Sequence, residues 1–104
     1  MLRIMSIFDD RERAFEAEWA NRAEHELRVR ARRNRLLAEW AATEEGLEGD
    51  AHAVRVRALV KRDFEPSGEA ALFDDIAETL GRDRAGIVAR AAEFERDARA
   101  QLAG

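Results

Sequence analysis

The sequence predicts an all-α protein, a small four-helix bundle with a first helix much longer than the others. Three observations support this prediction. Strong helix formers dominate the 104 residues, tyrosine is absent while Val, Ile and Thr are sparse, and the single proline and most glycines separate tracts of helical periodicity. A chain of this size holds one modest core, so a deep cleft between large domains is excluded.

The first helical tract is predicted to run from about Asp9 to Thr43, because neither glycine nor proline interrupts it. The acidic side chains of Asp9, Asp10 and Glu12 suit the positive end of a helix dipole. Gly46 and Gly49 are expected to end the tract, since glycine readily adopts the left-handed conformation that follows many helices.

Three shorter helices follow, and the residues expected to cap them are Asp50, Ser67 and Asp83. Pro66 should stop the second helix just after Phe64, and Gly81 should stop the third. The third helix carries one apolar stripe: Leu72, Phe73, Ile76 and Leu80. The last helix carries another: Ile87, Ala91, Phe94, Ala98 and Leu102.

The first tract is too long for the bundle that it joins. At about 1.5 Å per residue it would reach roughly 50 Å, whereas the longest of the other helices spans about 30 Å. Its more apolar end lies around Leu36, Leu37 and Trp40, so we expect that end to pack and the other to extend beyond the bundle. We therefore divide the chain into an N-terminal segment, residues 1–20, mobile or overhanging, and a helical bundle, residues 21–104.

The N-terminal segment contains three of the seven aromatic residues of the chain: Phe8, Phe15 and Trp19. Their spacings of seven and four place them along one face of a helix. An amphipathic helix with aromatic anchors and nothing to cover them is typical of recognition by insertion into a groove of another protein. The alternative is that Phe15 and Trp19 pack on the third or fourth helix.

A basic stretch, Arg28 to Arg35, predicts contact with nucleic acid or phosphate as one function. Against it, glutamates precede arginines by four residues in the pairs Glu18–Arg22, Glu24–Arg28 and Glu26–Arg30. We favour a solvated surface that also meets the acidic stretch from Asp63 to Asp83. The net charge of -4 also argues against general nucleic-acid binding.

No residue pattern indicates catalysis, so we do not expect an enzyme. Cysteine is absent, which excludes thiolate chemistry, and no glycine-rich phosphate loop or serine elbow is found. His25 and His52 lack a second ligand at helical spacing, and adjacent carboxylates on a helix diverge, so no metal site is expected. No apolar stretch could span a bilayer or form a signal-peptide core, which favours a cytoplasmic protein.

Three tracts carry a resemblance to a known family: FDDRERAFEAEWA at 8–20, ARRNRLLAEWAA at 31–42 and LVKRDFEPSGEAAL at 59–72. Together they resemble the zeta subunit, the ATPase inhibitor of the F-type ATP synthase of alphaproteobacteria, over nearly the whole chain from Phe8. The resemblance implies a four-helix bundle with an inhibitory N-terminal segment. It also implies a location at the inner membrane that depends on the ATP synthase, without membrane insertion.

The resemblance further implies that the N-terminal segment enters a catalytic α/β interface of the enzyme and contacts the rotor subunit γ. The positions that match are expected to make the contacts: Phe8, Asp9, Asp10, Arg11, Glu12, Arg13, Phe15, Glu16 and Trp19. No cofactor is predicted. Binding of ATP or ADP by the isolated bundle is carried by the resemblance alone, because no residue pattern marks a phosphate site.

Two other functions stay open on the sequence. One is a nucleic-acid-binding module that uses Arg28 to Arg35. The other is a structural homodimer in which the N-terminal segments pair as a coiled coil, although the seam is short and lacks leucine. We expect the free protein to be a monomer that binds no nucleic acid.

Overall fold

A computed structural model describes the backbone of residues 2–103 and the side chains of residues 9–103. It contains four helices, α1 (Leu2–Glu44), α2 (Gly49–Arg62), α3 (Glu69–Leu80) and α4 (Arg84–Ala103), and the described residues form no strand. The molecule is elongated, 67 × 30 × 25 Å. The prediction of an all-α bundle with a long first helix is confirmed.

Helix α1 begins seven residues earlier than the sequence predicted. It starts at Leu2, so Asp9, Asp10 and Glu12 lie inside the helix and do not face its positive end. Residues 2–8 carry no glycine or proline, and nothing stops the helix from extending through them. At its other end Gly46 adopts a φ of 80°, and the Leu47 amide donates to the Ala42 carbonyl at 3.1 Å, which closes the helix as predicted.

Two of the three predicted caps are wrong. The residue before α2 is Glu48, so Asp50 lies in the first turn, and the residue before α3 is Gly68, not Ser67. The side chain of Glu48 makes no capping hydrogen bond, and Gly68 has no side chain that could make one. Between α2 and α3, amide donors reach carbonyls three residues back, so that a series of tight turns leads through Pro66.

Asp83 stands directly before α4 and its carbonyl accepts from the amide of Gly86 at 3.0 Å. Gly81 ends α3 in the left-handed conformation, with a φ of 63°, as predicted. A residue with a Cβ is strained in that conformation, so the position favours glycine.

The core forms where all four helices meet. Its largest fully buried side chains are aliphatic: Val29, Leu37, Leu59, Leu72, Ile76 and Ile87. Small residues of α1 complete it, namely Ala38, Ala41 and Ala42, and they let the neighbouring helices approach closely. The predicted stripe of α3 is confirmed. On α4 the stripe is buried at Ile87, Ala91 and Ala98, but Leu102 is 39% exposed because it lies beyond the contacts of the core.

Helix α2 is tied to α1 by His52, whose Nε2 lies 3.1 Å from Thr43 Oγ1 and 3.3 Å from the Glu39 carbonyl oxygen. A second tie is the guanidinium of Arg55. Its Nε lies 3.0 Å from a carboxylate oxygen of Glu45, and its Nη2 lies 2.7 Å from Oδ1 of Asp75 on α3. Arg55, in the middle of α2, thus joins the turn after α1 to α3.

Asp75 is held ionised by its neighbours. Burial opposes its charge, but hydrogen bonds from Arg55 and Arg62 outweigh burial and hold the pKa of Asp75 below its ordinary value. The hydroxyl of Thr79 donates a further hydrogen bond to Oδ1 at 3.1 Å.

Leu59→Ala should lower the free energy of unfolding by about 2–5 kcal/mol, because the side chain is fully buried in the core and its removal leaves a cavity. Urea unfolding followed by circular dichroism measures the change. Val54→Ala on the same helix, where the side chain is 56% exposed, is the control and should stay within about 0.5 kcal/mol of the parent. A similar loss in both variants would contradict this account of the core.

Asp75→Asn should destabilise the bundle by about 2 kcal/mol at neutral pH, because Arg55 and Arg62 then share one uncharged acceptor oxygen in place of the two oxygens of a carboxylate. The folded pKa lies below the unfolded one, so this stabilisation is complete above the unfolded pKa and is lost as pH falls through the folded pKa. The stability difference between parent and variant should therefore shrink below about pH 4. A difference that stays constant down to pH 2 would show that the charge of Asp75 contributes nothing.

Candidate partner-binding segment

The described side chains at the start of α1 are free of the bundle. Every residue from 9 to 22 is exposed, and the first buried side chain of α1 is Val29. Phe15 is 64% and Trp19 is 63% exposed. The alternative that Phe15 and Trp19 pack on the third or fourth helix is therefore wrong, because neither helix extends alongside this part of α1.

The nine predicted contact residues lie on one helix and span about 16 Å of its length. The side chain of Phe8 is outside the described residues. The other eight are exposed, and none of these eight forms a salt bridge with another described residue. The aromatic face is narrow, because Phe15 is bordered by charged side chains, those of Arg11, Glu12 and Glu16.

A bidentate ion pair holds α1 to α4 just after the N-terminal segment ends. Arg99 near the end of α4 donates to both carboxylate oxygens of Glu26, at 2.7 and 2.8 Å. Hydrogen bonding from Arg99 lowers the pKa of Glu26, and the same pair raises the pKa of Arg99. The predicted pair Glu26–Arg30 is wrong, because the carboxylate of Glu26 turns towards α4.

The arginines of the basic stretch are largely neutralised. Arg28 pairs with Glu24 at 2.7 Å, as the four-residue spacing predicted. The pair expected between Glu18 and Arg22 does not form, and both side chains are exposed.

The prediction that this stretch meets the acidic one is confirmed at Arg30, which lies 2.7 Å from Asp63 Oδ1 and 3.0 Å from Glu69 Oε1. Arg33 binds Glu69 and also Glu95 of α4, and burial lowers the pKa of Arg33. These pairings lower the positive field that a nucleic acid would need.

A hollow beside Trp40 is lined by two arginines, Arg82 and Arg90. The guanidinium carbons of Arg82 and Arg90 lie 5.5 and 5.3 Å from the centre of the indole ring. Arg82 pairs with Glu44 at 3.3 Å and Arg90 with Glu93 at 2.7 Å, so both cations already have carboxylate partners. The geometry therefore stabilises the contact of α1 with α4 and adds no support for binding of ATP or ADP.

Over the described part of the chain, acidic and histidine side chains form no group of three that could hold a metal ion. No helix in the same residues is both long and apolar enough to cross a membrane.

The sequence did not predict the exposure of two large apolar side chains on the bundle. Leu27 is 65% exposed and continues the four-residue spacing of Phe15, Trp19 and Ala23, so that spacing could have revealed it. Phe64 is 83% exposed in the turn after α2, and only the packing of that turn beside α1 brings it next to Leu27.

One family model, described as ATPase inhibitor subunit zeta, matches residues 5–101. The match includes every predicted contact residue and parts of all four helices. Searches of curated proteins and of solved structures returned no match. The chain belongs to the ATPase inhibitor subunit zeta family, whose members are regulatory proteins associated with the ATP synthase.

Proposed function

We propose that the protein inhibits ATP hydrolysis by the F-type ATP synthase by inserting its N-terminal segment, residues 1–20, into a catalytic α/β interface against the rotor subunit γ. The observation that carries this proposal is the exposure of Phe15 and Trp19 on a helix that extends beyond the bundle. In a member of an inhibitor family, an aromatic face that the chain itself leaves uncovered is the surface best suited to the partner.

Burial of the two aromatic side chains supplies a substantial driving force. A fully exposed ring of this kind removes on the order of 150–250 Å² from water when buried. Phe15 is 64% and Trp19 is 63% exposed, so at about 25 cal/mol per Å² insertion contributes about 2–4 kcal/mol for each ring. Residues 9–20 are already helical in the free chain, so insertion fixes side chains and the position of a helix without folding the backbone. A preformed helix therefore lowers the entropic cost of binding.

The charged residues give the insertion its specificity. Asp9, Asp10, Arg11, Glu12 and Arg13 alternate in sign along the segment and are exposed. Because they form no salt bridge with other described residues, they are available to pair with charged and polar groups that line a cleft. Such pairs orient a helix and reject mismatched clefts more than they add affinity.

Inhibition follows mechanically in this proposal. A helix lodged between the catalytic subunits and the rotor opposes both closure of the interface and rotation, so ATP is held without turnover. The bundle, residues 21–104, stays outside the interface in this proposal, because its helices pack on α1 from Val29 onwards. The protein then acts on the cytoplasmic side of the inner membrane, held there by the ATP synthase, and is a monomer when free.

Deletion of residues 1–19 should leave the bundle folded and abolish inhibition of the cognate ATPase. The deleted stretch ends ten residues before Val29, the first buried side chain of α1, and does not include the ion pair of Glu26 with Arg99. Steady-state ATP hydrolysis with purified full-length and truncated protein measures the effect, and thermal unfolding verifies the fold. Full inhibition by a folded truncated protein would refute insertion of this segment.

Phe15→Ala should weaken inhibition by about tenfold or more, since an aromatic side chain at the centre of an interface contributes a few kcal/mol to binding. The melting temperature should change little, because the ring is 64% exposed in the free protein. Val54→Ala, at a position 56% exposed on the bundle, is the matched control and should inhibit like the parent. Equal inhibition by all three proteins would remove Phe15 from the interface.

A further inference from the structure

An apolar patch lies on the bundle at the point where α1 extends beyond the other helices. It is formed by Leu27, 65% exposed, and Phe64, 83% exposed, and we call this pair the shoulder. Both residues line one shallow hollow together with Ala31 and the ion pair of Arg30 and Asp63. A second hollow shares Leu27 with it and is lined also by Ala23 and by charged side chains, those of Glu26, Arg30, Arg33 and Glu95. Two large apolar side chains that share a surface hollow are more informative than scattered exposed ones, because together they offer a partner a continuous area.

The shoulder continues the aromatic face of the N-terminal segment. Phe15, Trp19, Ala23 and Leu27 follow one another at four-residue steps on an unbroken helix. Each step turns about 40° around the helix axis, so the line winds through about 120° over roughly 18 Å between Phe15 and Leu27. A flat surface touches only part of such a line, whereas a cleft that encloses the helix can follow all of it.

Charges around the shoulder are already paired within the chain. Arg30 lies 2.7 Å from Asp63, the residue before Phe64, and Glu26, the residue before Leu27, lies 2.7 Å from Arg99. An apolar partner surface that covers Leu27 and Phe64 therefore leaves no charge of this rim without its partner. An apolar centre with a satisfied polar rim is the usual anatomy of a protein interface.

We propose that the shoulder is a second docking site for the same ATPase, at the mouth of the cleft that receives the N-terminal segment. This inference rests on the proposed function. An apolar wall at the mouth closes on Leu27 and Phe64 once the segment is inserted, so the shoulder limits the depth of insertion and slows dissociation. The bundle then contributes to inhibition through contact, beyond holding the segment.

The test compares the double variant Leu27→Ala/Phe64→Ala with the matched control Val54→Ala/Val88→Ala, whose side chains are 56% and 41% exposed elsewhere on the bundle. The shoulder variant should require about tenfold more protein for half-inhibition and should dissociate correspondingly faster. The control should stay within about twofold of the parent. Phe15→Ala is assayed in parallel as a probe of the inserted segment.

A photoreactive phenylalanine analogue, placed at position 64 or at position 54, provides a readout independent of activity. Position 64 should cross-link to an α or β subunit of the ATPase, and position 54 should not. The cross-link shows whether the shoulder contacts the ATPase even where the shoulder variant unfolds at a lower temperature than the parent.

Each contrary outcome has a distinct meaning. In one outcome, Phe15→Ala weakens inhibition, but the shoulder variant inhibits normally and position 64 yields no cross-link. The shoulder is then not a docking site, and the proposed function stands. If the parent protein does not inhibit the ATPase, both proposals fall together. If sedimentation shows a dimer of the parent that the shoulder variant converts to monomer, a second copy of the chain covers the shoulder and the inference is wrong.

Discussion

The length of α1 relative to the helices packed on it governs the other features of this structure. Helix α1 has 43 residues and α4, the next longest, has 20. At about 1.5 Å per residue, α4 can cover about 30 Å of a helix that is about 65 Å long. The described side chains of residues 9–22 have no neighbouring helix to bury them, whatever their hydrophobicity. Exposed aromatic residues at one end and a dense aliphatic core at the other are both consequences of this mismatch.

The same mismatch separates the charged residues into two groups. Within the bundle, arginines of α1 reach carboxylates on other helices, as Arg30 does with Glu69 and Arg33 does with Glu95. In residues 9–22 no other helix is within reach, and the charges there face solvent. The basic stretch, which in the sequence suggests nucleic-acid binding, is thus part of a network of ion pairs within the bundle. The charged side chains of the N-terminal segment remain available to a partner.

An inhibitor that works as a wedge needs a stiff element and a body that holds it, and this chain combines them in one continuous helix. The segment is not attached through a loop, so a force on its tip is transmitted directly to the core residues Leu37 and Ala41 of the same helix. The bidentate pair of Glu26 with Arg99 braces the helix where it leaves the bundle. The shoulder of Leu27 and Phe64 lies at that same point, where a partner that grips the segment would meet the bundle.

The sequence alone determined the helical class, the apolar stripe of α3 and the excess length of the first helix. It also determined the helix ends at Gly46 and Gly81, since all of these follow from local propensity and periodicity. The sequence could not place the start of α1, because none of residues 2–8 stops a helix, and it could not place the N-terminal caps of α2 and α3, which make no side-chain capping hydrogen bond. The partners of Glu26 and Arg30 and the neighbourhood of Leu27 and Phe64 were decided by tertiary structure only. These contacts join residues more than thirty positions apart, and no local pattern records which helix will lie opposite a given side chain.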